Sequence, residues 1–260
     1  MHPDPRSRIS VEHLTMAYGD HVVVHDVDFS VQKGEIFLIV GGSGSGKSTL
    51  LRHLIGLERP ASGRILYAGR CLSEMSEAER EDVVRRLGVL YQNGALLSSM
   101  TLLENVSLPL EEHTSLAPDE IREIARFKLA LVGLRGFDDF PPSELSGGMQ
   151  KRAGLARALA LDPMGLFLDE PSAGLDPITA RRLDDLILDL RASLGTTFVV
   201  VTHDLASIFA IGDRCVFLDG PSKSQIAQGP PRELLARCDD PRVRDFLTRG
   251  GDYHPGGSAR

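Results

Sequence analysis

Little in this chain departs from an ordinary globular protein, and what it lacks removes whole classes of function. Its 260 residues include three cysteines, Cys71, Cys215 and Cys238, which stand far apart and without metal-ligand spacing. That excludes a disulfide framework and points to reduced thiols in a cytoplasm. No apolar run approaches the roughly 20 residues of a membrane-spanning helix; the longest, at 36–40 and 198–201, are strand-sized. Any membrane role therefore comes through a partner. Residues 1–8 are not followed by an apolar stretch and do not read as a secretory signal. Positive charge is outnumbered: the net charge is −7, and Lys and Arg nowhere run together as in a nucleic-acid-binding tail. Nucleic acid is disfavoured as the main partner, because neutralising phosphates needs clustered cations. There is no G-X-Y period and no internal repeat.

What remains is globular, with 42% hydrophobic and 25% charged residues and length enough for a real core. Residues 9–15 alternate apolar and polar, 22–31 are rich in β-branched side chains, and 36–40 form a buried type of strand. Glycines follow at once, and residues 48–55 open a helix that stops at Gly56. The middle of the chain is helical: from Pro118, Ile121, Ile124, Phe127 and Leu131 recur at helical spacing up to Gly133. Short apolar runs return at 166–168 and 197–201. Between them, Asp176 can cap a helix with Pro177 at its first position and Leu183, Leu186, Ile187 and Leu190 in one stripe. Buried strands alternating with amphipathic helices predict an α/β sheet covered on both faces.

Three runs carry chemistry. Gly41-Gly42-Ser43-Gly44-Ser45-Gly46-Lys47-Ser48 fits G-x-x-x-x-G-K-[ST], a phosphate-binding loop. Its glycines let backbone N–H groups turn inward around phosphate oxygens, and the following helix adds the positive end of its dipole. Lys47 can reach the β- and γ-phosphates and the Ser48 hydroxyl can ligate Mg²⁺. In Leu166-Phe167-Leu168-Asp169-Glu170-Pro171, an acidic pair ends a buried parallel strand, where ligands of such sheets lie. Asp169 can bind the Mg²⁺ shell, and Glu170 can polarise an attacking water as general base. In Leu145-Ser146-Gly147-Gly148-Met149-Gln150-Lys151-Arg152, a serine cap and adjacent glycine amides make a second anion site at a helix start.

This third run resembles the LSGGQ signature of ATP-binding cassette (ABC) ATPases, with Met149 where Gln is commoner. The other family motifs follow in order. Tyr18 stands where the family has an adenine-stacking aromatic, and Gln92 matches the Mg²⁺-sensing Q-loop. Residues 172–176 match the D-loop, ending at Asp176, and His203 matches the switch histidine. The resemblance covers about residues 8–235. It implies a P-loop NTPase (RecA-like) ABC nucleotide-binding domain over 9–235, with a helical signature subdomain inserted at about 93–160. A flexible N-terminus (1–8) and a C-terminal helix with a disordered tail (236–260) would flank it. Carried over residue by residue, Glu170, His203 and Gln92 are the catalytic candidates. Tyr18, Gly41 to Ser48 as named above, Thr49, Ser146, Gly147, Gly148 and Asp176 would bind ATP. Ser48, Gln92 and Asp169 would hold Mg²⁺. In this family the signature of one subunit closes on nucleotide held by the other, which implies a homodimer.

Finer features resemble the ATPases of Mla/Mce-type lipid transporters: the run Gln92 to Leu96, the run Val106 to Leu110, the run Pro142 to Met149, Asp176-Pro177-Ile178-Thr179, and residues 240–247. That resemblance implies phospholipid transport at the cytoplasmic face of an inner membrane. The partners would be an integral permease, an Mce-domain protein and sometimes a STAS-domain protein. Polar-solute import, lipoprotein release and a soluble regulatory ATPase remain alternatives. Two local questions stay open. Ala95, Leu96, Leu97, Met100, Leu102 and Leu103 either form a groove for a partner helix or fill their own subdomain's core. The helix starting at Asp240, with Val243, Phe246 and Leu247 on one side, packs either on its own domain or on a second subunit.

Overall fold

Long strands open the chain in this computed structural model, which describes residues 7–248. β1 (Ser7–Tyr18) and β2 (His21–Gln32) pair antiparallel around a turn at Gly19-Asp20. Ile9, Val11, Leu14 and Met16 are buried, facing inward from β1. The alternation slips by one between Val11 and Leu14, where the register shifts and His13 takes a φ of 47°; one extra residue reverses every later side chain in this way. β3 (Ile36–Gly41) is buried at all six positions, as its unbroken apolar run requires. α1 (Lys47–Leu54) comes next, then β4 (Ser62–Tyr67) and β5 (Arg70–Cys71).

The chain continues through α2 (Glu77–Arg85), β6 (Leu87–Leu90), α3 (Leu102–His113), α4 (Pro118–Leu131), α5 (Gly147–Ala158) and β7 (Gly165–Asp169). It ends with α6 (Pro177–Leu194), β8 (Thr197–Val201), α7 (Leu205–Ile211), β9 (Arg214–Asp219), β10 (Ser224–Gly229), α8 (Pro231–Arg237) and α9 (Pro241–Thr248). Helix starts are set by local chemistry. Ser76 with Glu79 and Thr101 with Glu104 form reciprocal capping boxes on α2 and α3, each pairing two amides that the helix itself leaves unmet. Asp176 accepts from the amides of Ile178 and Thr179, with Pro177 at the first position of α6.

The described residues form two compact units. In the first, residues 7–73 and 202–248, the strands lie in the order β5-β4-β1-β2-β10-β9-β3. β3 is parallel to β9 and β10 to β2, while the other neighbours are antiparallel. In the second, residues 74–201, β8, β7 and β6 are parallel neighbours. Parallel pairing needs crossovers, and α3 to α5 and α6 supply them.

Several expectations change against this structure. Ser7 and Arg8, placed in a flexible N-terminus, are the first residues of β1. Residues 1–6 of that segment lie outside the described residues, as do 249–260 of the expected tail. On α4 the buried face is Ile121, Ala125, Lys128 and Leu129, and Phe127, read as part of the stripe, is 57% exposed. The buried face includes Lys128, whose ammonium reaches Asp162, so a stripe drawn from apolar residues alone was turned too far. Helix α9 settles one open question: Val243 and Leu247 are buried, and Phe246 stands edge-on to Phe217 of β9 with ring centroids 4.9 Å apart. It packs on its own unit.

All three cysteines are free, and burial pushes the Cys215 thiol up to about 12. Since the thiolate is the reactive species, a thiol reagent at neutral pH should label half-buried Cys238 first and leave Cys71 and Cys215 until the chain is unfolded. Mass spectrometry of the labelled protein reads this directly, and early labelling of Cys215 would contradict the packing of β9.

Candidate functional site

In the first unit, β3 runs into the glycine loop and α1 leaves it. Gly46 caps α1 at φ 90°, a backbone region that L side chains avoid. A Cβ there would also lie 2.5 Å from Val24 Cγ2. The Lys47 ammonium folds back over the loop and donates to the carbonyls of Gly41 at 3.0 Å and Gly42 at 2.8 Å. Ser45 is buried, and its Oγ has no hydrogen-bond partner. A buried hydroxyl without a partner is costly, and an anion in the loop would satisfy it. Ser48 is exposed and Thr49 half-buried on the first turn of α1. Gly42, Ser43 and Gly44 are exposed along the outside of the loop.

His203 is exposed in the same unit. The Thr202 amide donates to the Ile39 carbonyl at 3.2 Å, which brings the histidine out beside the strand that feeds the loop. Asp204 behind it caps α7 through the Ala206 amide. Tyr18 ends β1, 51% exposed, and its hydroxyl donates to Glu58.

The second unit holds the acidic pair, Gln92 and the Ser146 run. Asp169 ends β7, and Glu170 turns off the strand with a φ of 48°. A non-glycine residue in that region is uncommon and strained, and such strain gathers at functional positions. The Glu170 amide is tied to the Val201 carbonyl at 2.9 Å. Ser146 caps α5 by accepting from the Met149 amide at 3.3 Å. Gly147 is exposed, whereas Gly148 is covered by Thr179 of α6: a Cβ on Gly148 would lie 2.4 Å from the Thr179 methyl. Thr179 is oriented by its hydroxyl, which donates to Asp176. That bond, with those from the α6 amides, holds the Asp176 carboxyl below its usual range. The α6 cap thereby braces the start of α5.

Sequence reasoning missed the residues that hold the Q-loop. Lys151 of α5, nearly buried, donates to the Gln92 carbonyl. Arg157, two turns further, donates to the carbonyls of Ala95 at 2.8 Å and Gly94 at 3.2 Å. Burial lowers the Lys151 ammonium, and the charges of Asp169 and Glu170 oppose that shift. Only their place within an Ala- and Leu-rich helix hints that these cations face inward. Buried Asn105 of α3 holds the next stretch: its amide donates to the carbonyls of Leu97, Met100 and Thr101 and its oxygen accepts from the Leu97 amide. Of the six apolar residues in question, Leu102 is core. Ala95 and Leu97 are exposed, and Leu96, Met100 and Leu103 are half-buried.

Chain order also hides a cluster in the first unit, where none of the histidines sits in a metal-ligand sequence pattern. His13 Nδ1 is 2.9 Å from Asp26 and 3.3 Å from Asp28. The hydrogen bond to Asp26 and the charge of Asp28 raise the His13 imidazole above its ordinary value. All three lie at the exposed bulge of β1 and β2.

The two units thus hold a phosphate-type loop and a capped glycine helix start, on an α/β framework that known proteins share. The profile of the ABC transporter family matches residues 24–173, and the chain belongs to that family as an ABC-type ATPase. The cbiO1 component of the ABC transporter complex cbiONQ from Clostridium perfringens superposes with a TM-score of 0.82 at 30% identity, over 94% of this chain and 97% of that one. A dimeric ATP-binding cassette captured after hydrolysis with ADP and Pi gives a TM-score of 0.77 at 30% identity, over 85% and 98%. Among named relatives, the intermembrane phospholipid transport ATP-binding protein MlaF of Haemophilus influenzae is 41% identical over 94% of this chain and 91% of its own length. The Escherichia coli protein of that name is 39% identical over 95% and 94%. The probable ribonucleotide transport ATP-binding protein mkl of Mycobacterium tuberculosis is 43% identical over 92% of this chain, which spans 66% of that relative's length.

Asn105→Ala would leave the Leu97 amide without its acceptor and take a donor from the carbonyls of Leu97, Met100 and Thr101, of which Leu97 and Thr101 keep a backbone donor. It should lower stability by about 1–3 kcal/mol, the cost of unmet buried polar groups, measured by denaturant unfolding. An unchanged midpoint would mean that this loop is not held through Asn105.

Proposed function

We propose that this chain is the ATP-hydrolysing motor of a transporter that moves phospholipid between membranes. The observation that carries this is identity of about 40% to two intermembrane phospholipid transport ATP-binding proteins along nearly the whole of both chains. In this reading the chain is peripheral to the cytoplasmic face of an inner membrane, bound to an integral permease. That no described helix is long and apolar enough to cross a membrane is consistent with it. An Mce-domain protein and a STAS-domain protein complete the proposed assembly.

Two copies would close head to tail on two nucleotides, each with the glycine loop, Gln92, Asp169, Glu170 and His203 of one chain and Ser146 and Gly148 of the other. Support comes from the paired anion-type helix starts of α1 and α5 and from the dimeric cassette neighbour. The donor set fits Mg²⁺: the Ser48 hydroxyl, the Gln92 amide oxygen and the Asp169 carboxylate are hard oxygen ligands. When bound, Mg²⁺ would neutralise charge developing on the β- and γ-phosphate oxygens. Lys47 leaves the loop carbonyls for those oxygens, and the loop amides and Ser45 Oγ hold them. Glu170 accepts the proton of the attacking water at its carboxylate, and His203 meets the γ-phosphate. The helical region at 93–160 carries the change to the permease, with exposed Leu97 and half-buried Leu96 and Met100 as the contact.

Glu170→Gln should keep ATP binding and lower turnover about 10²–10⁴-fold, the usual range for loss of a general base. In mixed dimers, Lys47→Ala and Ser146→Arg chains should restore a single working site; hydrolysis that followed each chain alone would exclude the shared arrangement.

Reconstituted with its permease, the chain should drive ATP-dependent transfer of labelled phospholipid between vesicles, and Leu97→Glu should weaken permease capture while nucleotide binding stays. Transport of ribonucleotide without lipid transfer would reassign the substrate and leave the motor intact.

A further inference from the structure

Tyr18 is a polar aromatic at the tip of the β1–β2 hairpin, half-exposed, and it does not hang free. Its hydroxyl lies 2.8 Å from Glu58 Oε1 and 2.7 Å from Oε2. Glu58 is 40 residues away in the segment after α1, and its side chain is only 23% exposed. The Arg52 guanidinium and the His53 imidazole stand behind the carboxylate. Arg52 Nη1 is 3.6 Å from Oε1, and His53 Nδ1 is 3.6 Å from Oε2. Both belong to the last turn of α1, and His53 is itself buried and bonded to the Thr49 carbonyl at 2.9 Å. The helix whose first residue is Lys47 therefore ends in a rigid patch that grips the phenol of Tyr18.

We infer that Glu58 is a positioning residue: it holds the Tyr18 ring in place for a purine base and fixes that ring to the helix that carries the phosphate-binding lysine. The inference rests on the reading of Tyr18 as the base platform and names what makes that platform rigid. A phenol donating to a carboxylate is among the stronger neutral-to-ion hydrogen bonds. An exposed aromatic on a hairpin tip would otherwise have to be ordered when a base stacks on it, and ordering a side chain at a binding site costs affinity. Here the ordering is complete before the nucleotide arrives. The distance from base to phosphates is also set, because one short helix carries Lys47 at one end and Arg52 and His53 at the other.

The test compares ATP with inorganic tripolyphosphate, which has the phosphates and no base. Calorimetric titration of the full chain would measure both in Glu58→Ala, Glu58→Gln, Tyr18→Phe and Tyr18→Ala. Glu58→Ala and Tyr18→Phe should each bind ATP about three- to tenfold more weakly, the scale of one immobilised side chain, with tripolyphosphate unchanged. Combining the two should cost no more than either alone. Glu58→Gln, whose amide oxygen still accepts from the phenol, should recover most of the loss. Weakening of both ligands alike would mean that Glu58 merely supports α1 and would overturn the inference. So would a normal preference for ATP in Glu58→Ala beside a lost preference in Tyr18→Ala, a result that keeps Tyr18 as the platform. If Tyr18→Ala also kept the preference, the platform reading itself would fail. Tyr18→Phe and Glu58→Gln are nearly isosteric, so they carry the comparison if the alanine variants fold poorly.

Discussion

A side chain at the start of a helix blocks the approach to its first amides, and at the two candidate anion-binding helix starts of this protein packing excludes one. At the start of α1, Gly46 lies in a left-handed turn pressed on Val24. At the start of α5, Gly148 lies under the Thr179 methyl. In both places β-sheet or helix packing fills the space that a side chain would need. The rest of each unit holds these two starts in position. β3, wholly buried, delivers the loop to α1, and the Asp176 cap of α6 holds Thr179 against α5.

α5 organises the second unit in a way that goes beyond its signature run. Its buried face presents Lys151 and Arg157 to backbone carbonyls of Gln92, Gly94 and Ala95. Gly154 sits beneath the same loop, close enough that a Cβ would lie 3.1 Å from the Gly94 carbonyl. Three hydrogen bonds and this close approach tie α5 to the stretch from Gln92 to Ala95. Asn105 extends the connection to residues 97–101, which carry the exposed and half-buried apolar side chains. A chain of hydrogen bonds thus runs from α5 through residues 92–95 to the stretch of the proposed permease contact.

The first unit shows the same economy. Its loop, hairpin tip and α1 form one piece through Lys47, Glu58 and Tyr18, while α9 closes the far side of β9 through Phe246 and the ion pair of Arg242 with Asp219 at 2.7 Å.

The sequence alone determined what depends on neighbours in the chain: the glycine loop, the Ser146 cap, Asp176 with Pro177, and the apolar strands at 36–40 and 197–201. A backbone turn or a helix cap closes within a few residues, so its chemistry is spelled out locally. Tertiary structure decided what depends on packing across tens of residues. It turned α4 so that Lys128 is buried and Phe127 exposed, placed Leu102 in the core, and put Glu170 in a left-handed turn. It also joined Lys151 to Gln92 and Tyr18 to Glu58. None of these has a local signature, because which side of a helix is covered, and which polar groups then need partners, is set by the elements packed against it.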